Sequence, residues 1–430
     1  MYAMRKSILL VTLVLFICNN AISQNPQTKR VLFIGNSYTY VNDLPQMLAD
    51  IAQSLGDSVY FESSTPGGYT FQQHTTDATT LSKINSGNWD YVVLQEQSQR
   101  PSFPQSQVEQ EVFPYARILD SIINLANPCA ETVFYMTWGR KNGDASNCQY
   151  WPPVCTYEGM DALLRERYMV MADSNKAIVS PVGAVWNYLR KNNPTIELYS
   201  SDESHPSIAG TYAAALSFYS VIFQKDPSQS PFTAQLNLYE SDNVKNAVKA
   251  VAYDSLSYWN IGKYQPQAIY CFVITGNQVS FNNHSQNADS YLWEFGDGST
   301  SILENPTHTY TANGTYTVKL IASKCPLADT NTQTVIIIGV GVEEEGTSLF
   351  RIYPNPVKNL LNIVTSKELG QEIEISVFDE KGKKLIQESA QCSSEGLFRM
   401  DVSDLISGVY ILQIRSIRDK IYKVVRFIKP

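Results

Sequence analysis

Val31-Leu32-Phe33-Ile34-Gly35-Asn36-Ser37 is the stretch on which the reading of the first half of the chain turns. Four consecutive apolar residues suit a strand covered on both faces, whereas a strand with one wet face would alternate. Gly35 lets the backbone turn sharply at the strand's end, and a serine stands two residues later. Four more short apolar runs follow: Val59-Tyr60-Phe61, Tyr91-Val92-Val93-Leu94, Thr132-Val133-Phe134-Tyr135 and Ala177-Ile178-Val179. Between them, residues 44–55, 108–125, 160–172 and 208–223 have helical period, and a further helix-like stretch spans 241–258. This alternation predicts an α/β domain, a doubly wound parallel sheet with helices on both faces. In such sheets the working groups sit beyond the carboxyl ends of the strands, which is where Ser37 stands.

The whole chain has 430 residues, enough for about three domains of roughly 150 residues each. With 43% hydrophobic and 17% charged residues, disordered and collagen-like classes are excluded. The net charge of −8 leaves no basic footprint for nucleic acid. At the start, Arg5-Lys6, an apolar run over 8–17 and Ala21-Ile22-Ser23 read as a secretory signal cleaved after Ser23. The run is too short to span a bilayer and no later segment is longer, so no transmembrane segment is expected. The bulky Ile17 before Cys18 argues against a lipid anchor.

Six cysteines follow Cys18, namely Cys129, Cys148, Cys155, Cys271, Cys325 and Cys392, and an even number in an exported chain permits disulfides. Cys148 and Cys155 bracket a Trp-Pro-Pro loop, and Cys271 with Cys325 can staple one small domain; buried free thiols are the alternative. No His/Cys cluster has zinc spacing, so no metal is expected.

Far downstream stands Asp202-Glu203-Ser204-His205-Pro206, just before the last long helical stretch. A serine nucleophile needs a base for its proton, and the imidazole needs a carboxylate to set its tautomer. With 4 histidines in the chain, one placed three residues after an aspartate carries information. Thr65-Pro66-Gly67-Gly68-Tyr69 follows the second strand, where a glycine N–H can face a developing oxyanion. Gln95-Glu96-Gln97-Ser98 follows the third, where a side-chain amide can donate another hydrogen bond.

Taken in order, these four blocks over roughly residues 28–260 resemble the SGNH/GDSL hydrolase superfamily. The resemblance implies a flavodoxin-like sheet and ester hydrolysis through an acyl-enzyme, with no cofactor. Ser37 matches the nucleophile, with Asn36 where many members carry Asp. Gly68 (or Gly67) matches the oxyanion glycine, and Asp202 with His205 the last block. In the third block Gln95 stands where the family name expects Asn, as in branches resembling carbohydrate acetylesterases; Gln95 or Gln97 fills that role. The implied oxyanion hole is therefore Ser37, Gly68 and Gln95. Tyr38, Tyr40, Trp138, Arg140 and Trp151 are the candidate substrate contacts, with a core role for the aromatics and, for Arg140, Glu96 or another structural carboxylate as the alternatives.

From Gln267 to Ile338 the sequence turns to short Thr/Tyr/Val-rich runs. Tyr291-Leu292-Trp293-Glu294-Phe295-Gly296-Asp297-Gly298, Asn305-Pro306-Thr307-His308-Thr309-Tyr310 and Gly314-Thr315-Tyr316-Thr317-Val318 resemble a PKD domain, with Trp293 as core. After a linker with Glu343-Glu344-Glu345, the opening Tyr353-Pro354-Asn355-Pro356, then Gly382, Ser407-Gly408-Val409-Tyr410 and Val424-Val425-Arg426-Phe427-Ile428-Lys429-Pro430 resemble the sorting domain of type IX secretion. The expected organisation is a signal over 1–23, an α/β hydrolase domain over 24–262, small all-β sandwiches over 263–340 and 350–430, and a linker over 341–349.

The expected protein is a secreted or surface-held serine esterase that meets the type IX machinery after crossing the periplasm. Its expected substrates are short-chain, chiefly O-acetyl, esters on glycans or small molecules. A lipase-type esterase and a non-catalytic glycan-binding surface protein are the alternatives.

Overall fold

The computed structural model describes residues 26–337, 350–365, 372–379, 382–391, 397–416 and 422–430. The expected signal over 1–23 with Cys18, the linker over 341–349 and Cys392 lie outside the described residues. The chain divides into two compact units, Met1–Ile261 and Gly262–Pro430.

In the first unit the strands β1 (Thr28–Ile34), β2 (Ser58–Ser64), β3 (Tyr91–Leu94), β4 (Glu131–Tyr135) and β5 (Ile178–Ser180) form one sheet in the order β2-β1-β3-β4-β5. All neighbours are parallel, with Val31 beside Phe61 on one side and Tyr91 on the other. The central strands are covered on both faces: Val31, Leu32, Phe33, Ile34, Val93, Leu94, Val133 and Phe134 are all fully buried. Each such side chain contributes roughly 1.5–3 kcal/mol of burial free energy, which holds the sheet centre rigid. Because β1 is followed by β2 on one flank and β3 on the other, the strand order reverses at β1. The crevice beyond the ends of β1 and β3 is therefore the place for a site.

The helices are α1 (Ser37–Tyr40), α2 (Leu44–Ser54), α3 (Phe71–His74), α4 (Ala78–Asn85), α5 (Gln105–Glu111), α6 (Phe113–Ala126), α7 (Tyr157–Ser174), α8 (Val182–Asn192), α9 (Ile208–Phe223) and α10 (Leu238–Val251). Helix α9 is apolar all round and buried from Ala209 to Phe223, because it packs among α2, α8 and α10. The single helix expected over 108–125 is two, broken at Val112, where Pro114 in the next turn has no N–H to continue the ladder. The stretch over 241–258 likewise ends as a helix at Val251 and continues as a 3-10 turn, Tyr253–Trp259. Helices α4 and α8 were not anticipated; α4 reads Ala-Thr-Thr-Leu-Ser-Lys-Ile-Asn, a composition weak in helix formers.

The second unit is all-β. One pair of antiparallel sheets surrounds a core of Trp293, Phe281, Tyr310, Val318 and Leu320. Another pair surrounds Leu361, Ile363, Ile375, Leu412 and Phe427. Trp293 is fully buried, as expected of a sandwich core. Cys148 and Cys155 form a disulfide. Cys325 is disulfide-bonded, but not to Cys271, whose Sγ lies 3.6 Å from His284 Nε2, so the expected staple between Cys271 and Cys325 is not made. Among the described residues no helix is long and apolar enough to cross a membrane, and no cluster of three metal-binding side chains occurs.

Candidate active site

Asn36 caps helix α1 and Ser37 is its first residue, placed directly beyond the end of β1. Gly35 is required in this turn: a Cβ there would come within 2.6 Å of Gln95 Oε1 and 2.7 Å of Thr39 Oγ1. Ser37 Oγ lies 2.8 Å from His205 Nε2, although 168 residues separate them. His205 Nδ1 is hydrogen-bonded to Asp202 Oδ2, and Asp202 Oδ1 accepts the backbone N–H groups of His205 at 2.9 Å and Ser204 at 3.1 Å. Partial burial works to raise the Asp202 pKa, but these hydrogen bonds outweigh it and hold the carboxyl below its usual range. With Nδ1–H facing a carboxylate, Nε2 is free to accept the Ser37 proton.

The loop that carries Asp202 and His205 is braced from both ends. Ser200 N–H donates to His205 O at 2.8 Å, Lys141 N–H to Glu203 O at 2.9 Å, and Asn42 Nδ2 to Pro206 O at 3.0 Å. Tyr38 and Trp138 belong to this bracing and not to a substrate surface. Tyr38 is 2% exposed and stacks on Trp138, with centroids 4.7 Å apart and planes 4° apart. Trp138 is fully buried, stacks in turn on Trp186, and donates from Nε1 to Ser204 O at 3.1 Å. Side chains with no exposed face cannot touch a sugar, so both expected contacts are corrected.

Gln95 is corrected as well. It is fully buried, its Oε1 accepts Asn36 N–H at 2.9 Å and Thr39 Oγ1 at 3.0 Å, and its Nε2 donates to Glu96 O. From below, it props the turn that carries Ser37, with both ends of its amide engaged inside the protein. Gln97, two residues on, is partly exposed and lines a cavity of about 540 Å³ together with Gly68, Gln73, Gln99, Arg100 and Phe103. Gly68 is the third residue of a turn closed by Tyr69 N–H to Pro66 O, with φ of +72°, a conformation that favours glycine.

Asn36 also explains why an amide stands where an aspartate is common. Its Nδ2 donates to Tyr69 O at 2.9 Å, tying the Gly68 loop to the Ser37 turn, which a carboxylate could not do. Arg140 pairs with the buried Asp144 at 3.4 Å, the structural option among its two readings. Trp151 is half-buried and donates from Nε1 to Ser102 O at 3.0 Å, fastening the disulfide loop to the turn after β3. Tyr40 remains 50% exposed beside Gly67.

His74 escaped the sequence reading, and Glu96 was weighed there only as a partner for Arg140, which pairs with Asp144 instead. His74 is fully buried, its Nε2 2.9 Å from Gly35 O and its Nδ1 2.8 Å from Thr80 Oγ1. Burial pushes its pKa down against the pull of Gly35 O and Asp77. Glu96 is also fully buried; burial pushes its carboxyl up to about 8, against hydrogen bonds from Gln97 and Phe71 and the charge of Arg100. The signal available for Glu96 was a carboxyl directly following a strand of apolar residues.

Comparison with known proteins places two modules firmly. Residues 272–338 match the model of the PKD domain, and residues 351–428 that of the secretion system C-terminal sorting domain. The sorting domain marks a secreted or cell-surface protein that uses the type IX machinery. Collagenase ColA of Bacillus cereus is 36% identical over 70 residues, 15% of this chain and 7% of that protein. A microbial collagenase of Vibrio alginolyticus is 47% identical over 53 residues, 12% of this chain and 6% of that protein. The chain thus spans less than a tenth of the length of either collagenase.

Among solved structures, a DUF4886 family protein from Bacteroides uniformis is similar with TM-score 0.46 and 14% identity, covering 54% of this chain and 95% of that one. A protein from Slackia heliotrinireducens, provisionally described as an SGNH hydrolase, has TM-score 0.38 and 26% identity, covering 45% and 99%. A psychrotrophic esterase from Pseudoalteromonas sp. has TM-score 0.34 and 12% identity, covering 46% and 97%.

Proposed function

We propose that the protein is an exported serine esterase that removes short acyl groups, chiefly O-acetyl, from glycans. The observation that carries this reading is the continuous chain from Ser37 Oγ through the His205 ring to Asp202. Ser37 Oγ attacks the ester carbonyl while its proton passes to His205 Nε2, and Asp202 stabilises the imidazolium that forms. The carbonyl oxygen becomes an oxyanion facing the N–H groups of Ser37 and Gly68, with the Gln97 amide as the side-chain donor. Collapse breaks the bond to the alcohol, which takes the proton back from His205. Water then attacks the acyl-serine by the same proton route. Acid–base assistance of this kind contributes roughly 10²–10⁴-fold.

The character of the cavity beside Gly68 supports a polar alcohol and a short acyl group. Phe103 is its one aromatic; the rest of the wall is amide, hydroxyl, guanidinium and glycine. Such a wall matches sugar hydroxyls and offers nothing to a long alkyl chain.

The test is hydrolysis of p-nitrophenyl acetate and octanoate, with acetate release from acetylated polysaccharides, by the full-length chain and Ser37→Ala. The expected result is acetyl well above octanoyl, polysaccharide deacetylation, and a loss in Ser37→Ala of at least about 10³-fold. Undiminished turnover in Ser37→Ala would overturn the mechanism, and octanoyl above acetyl would replace the glycan with a lipid.

A further inference from the structure

Beyond the residues that react, the end of β3 holds a buried carboxyl that the steps above do not use. Glu96 is fully buried and lies between the two loops that bear the Gly68 N–H and the Gln97 amide. Both of its oxygens are 3.1 Å from the N–H of Phe71, the first residue of α3 and three residues beyond Gly68. Its Oε1 also accepts the N–H of Gln97 at 2.6 Å. Its own N–H donates to the Tyr168 hydroxyl at 3.3 Å, which pins this point of the chain to α7.

We infer that Glu96 is a positioning residue that aligns the two arms of the oxyanion hole, the Gly67-Gly68 loop and Gln97, on the ester carbonyl. The inference rests on the esterase reading above. On one arm, Thr70 and Gln73 cap α3 reciprocally, so the residues from Thr70 to His74 move as one piece. Holding Phe71 N–H therefore sets where the preceding glycine turn ends. On the other arm, Gln97 Oε1 accepts the N–H groups of Gln99 at 2.9 Å and Arg100 at 3.2 Å. With its backbone N–H held by Glu96 and its carbonyl oxygen engaged, the Gln97 amide has a fixed direction.

The alternation of the strand divides the work. Gln95 reaches toward the turn after β1 and Glu96 toward the loop after β2, so successive side chains of β3's end set the nucleophile and the oxyanion donors separately.

A carboxylate suits this post because both its oxygens accept. Glutamine has one acceptor oxygen for two N–H groups. Since Phe71 N is equidistant from the two oxygens, the amide nitrogen of a glutamine faces that N–H in either orientation. The charged or titratable groups facing Glu96 are Arg100, from the turn after β3, and the Tyr168 hydroxyl of α7. A glutamine also resembles the protonated carboxyl, so the contrast with wild type is largest where Glu96 is ionised.

The experiment compares the full-length wild type, Glu96→Gln and Ser37→Ala on p-nitrophenyl acetate at about pH 9, where a carboxyl titrating near 8 is largely ionised. Inhibition by phenylboronic acid, which forms a tetrahedral adduct, is measured alongside. Glu96→Gln is expected to lower kcat by roughly 10- to 100-fold with KM within about twofold, because misplaced donors are felt in the transition state. Boronate affinity is expected to weaken in parallel, and the gap to wild type to narrow toward pH 7. A folded Glu96→Gln with wild-type kcat, or a loss confined to KM, overturns the inference. If Glu96→Gln does not fold, Glu96→Asp carries the same comparison, and failure of both to fold assigns Glu96 to stability alone and overturns it. Should Ser37→Ala stay active, the esterase reading itself fails; should it be inactive while Glu96→Gln is unaffected, only this inference does.

Discussion

The Tyr38 hydroxyl meets Ser204 Oγ at 2.7 Å, so the residue after Ser37, the proposed nucleophile, is tied to the residue before His205, its proposed base. The Tyr38 ring also lies edge-on to the His205 imidazole, with centroids 5.4 Å apart. Two loops that are distant in sequence are thus held together by this phenol as well as by Asn42 and Pro206. Tyr38→Phe keeps the stack on Trp138 and removes only this tie. We expect kcat to fall by roughly 3- to 10-fold with KM unchanged, and stability to fall by about 1 kcal/mol, the usual net worth of one hydrogen bond. Steady-state kinetics and a thermal melt check both; a KM effect without a kcat effect would return Tyr38 to the substrate surface.

Gln95 and Gln97 separate in the same way by which quantity they move. Replacing Gln95 by Ala leaves Asn36 N–H without its acceptor in the interior, which costs about 1–3 kcal/mol. Replacing Gln97 by Ala removes a partly exposed side chain and its proposed donor, so kcat should fall by roughly 10²-fold, with a smaller stability loss than Gln95→Ala because water can replace its bonds to the Gln99 and Arg100 N–H groups. A stable, active Gln97→Ala beside a stable, inactive Gln95→Ala would reverse these assignments.

The PKD module carries a pH-dependent contact of its own. Burial works to raise the pKa of Asp297, but hydrogen bonds from Ser299 and His308 outweigh it and hold the carboxyl at about 2. His308 Nε2 lies 2.7 Å from Asp297 Oδ2. A depressed carboxyl stabilises the fold above its unfolded pKa, near 4, and that contribution is lost as pH falls toward 2. With partial exposure discounted, it amounts to about 1–2 kcal/mol. Protection of the Gly314–Lys324 amides, taken as exchange relative to the intrinsic rate at each pH, should therefore fall between pH 4 and 2 in wild type. Asp297→Asn should flatten that dependence, and an equal slope in both proteins would discard the contact as a stabiliser.

Much of this arrangement was legible in the chain. The apolar runs located all five parallel strands, most sharply the central ones, because a strand covered on both faces has no polar positions to blur the pattern; the edge strand β2 is only partly buried and keeps Ser and Glu. Asp202 and His205 were legible because a spacing of three lets one carboxylate hold both the ring and the backbone N–H of the same histidine. The roles of Tyr38 and Trp138 were not, since an aromatic ring serves equally as core or as a sugar platform until its exposure is known. His74 gave no local signal either: its partner Gly35 O lies 39 residues away, across two loops.

Residue order alone thus determined the five strands of the parallel sheet and the Asp-x-x-His contact, because strand burial and a three-residue spacing are set over a few neighbouring positions. Helices α4 and α8 were not legible in it. Only the tertiary structure decided which amide props the Ser37 turn, which one lines the cavity and what Glu96 holds. Those partnerships join the ends of β1, β2 and β3, which come side by side only when the sheet closes. A side chain's type limits the bonds it can make; the order of the strands selects the partner.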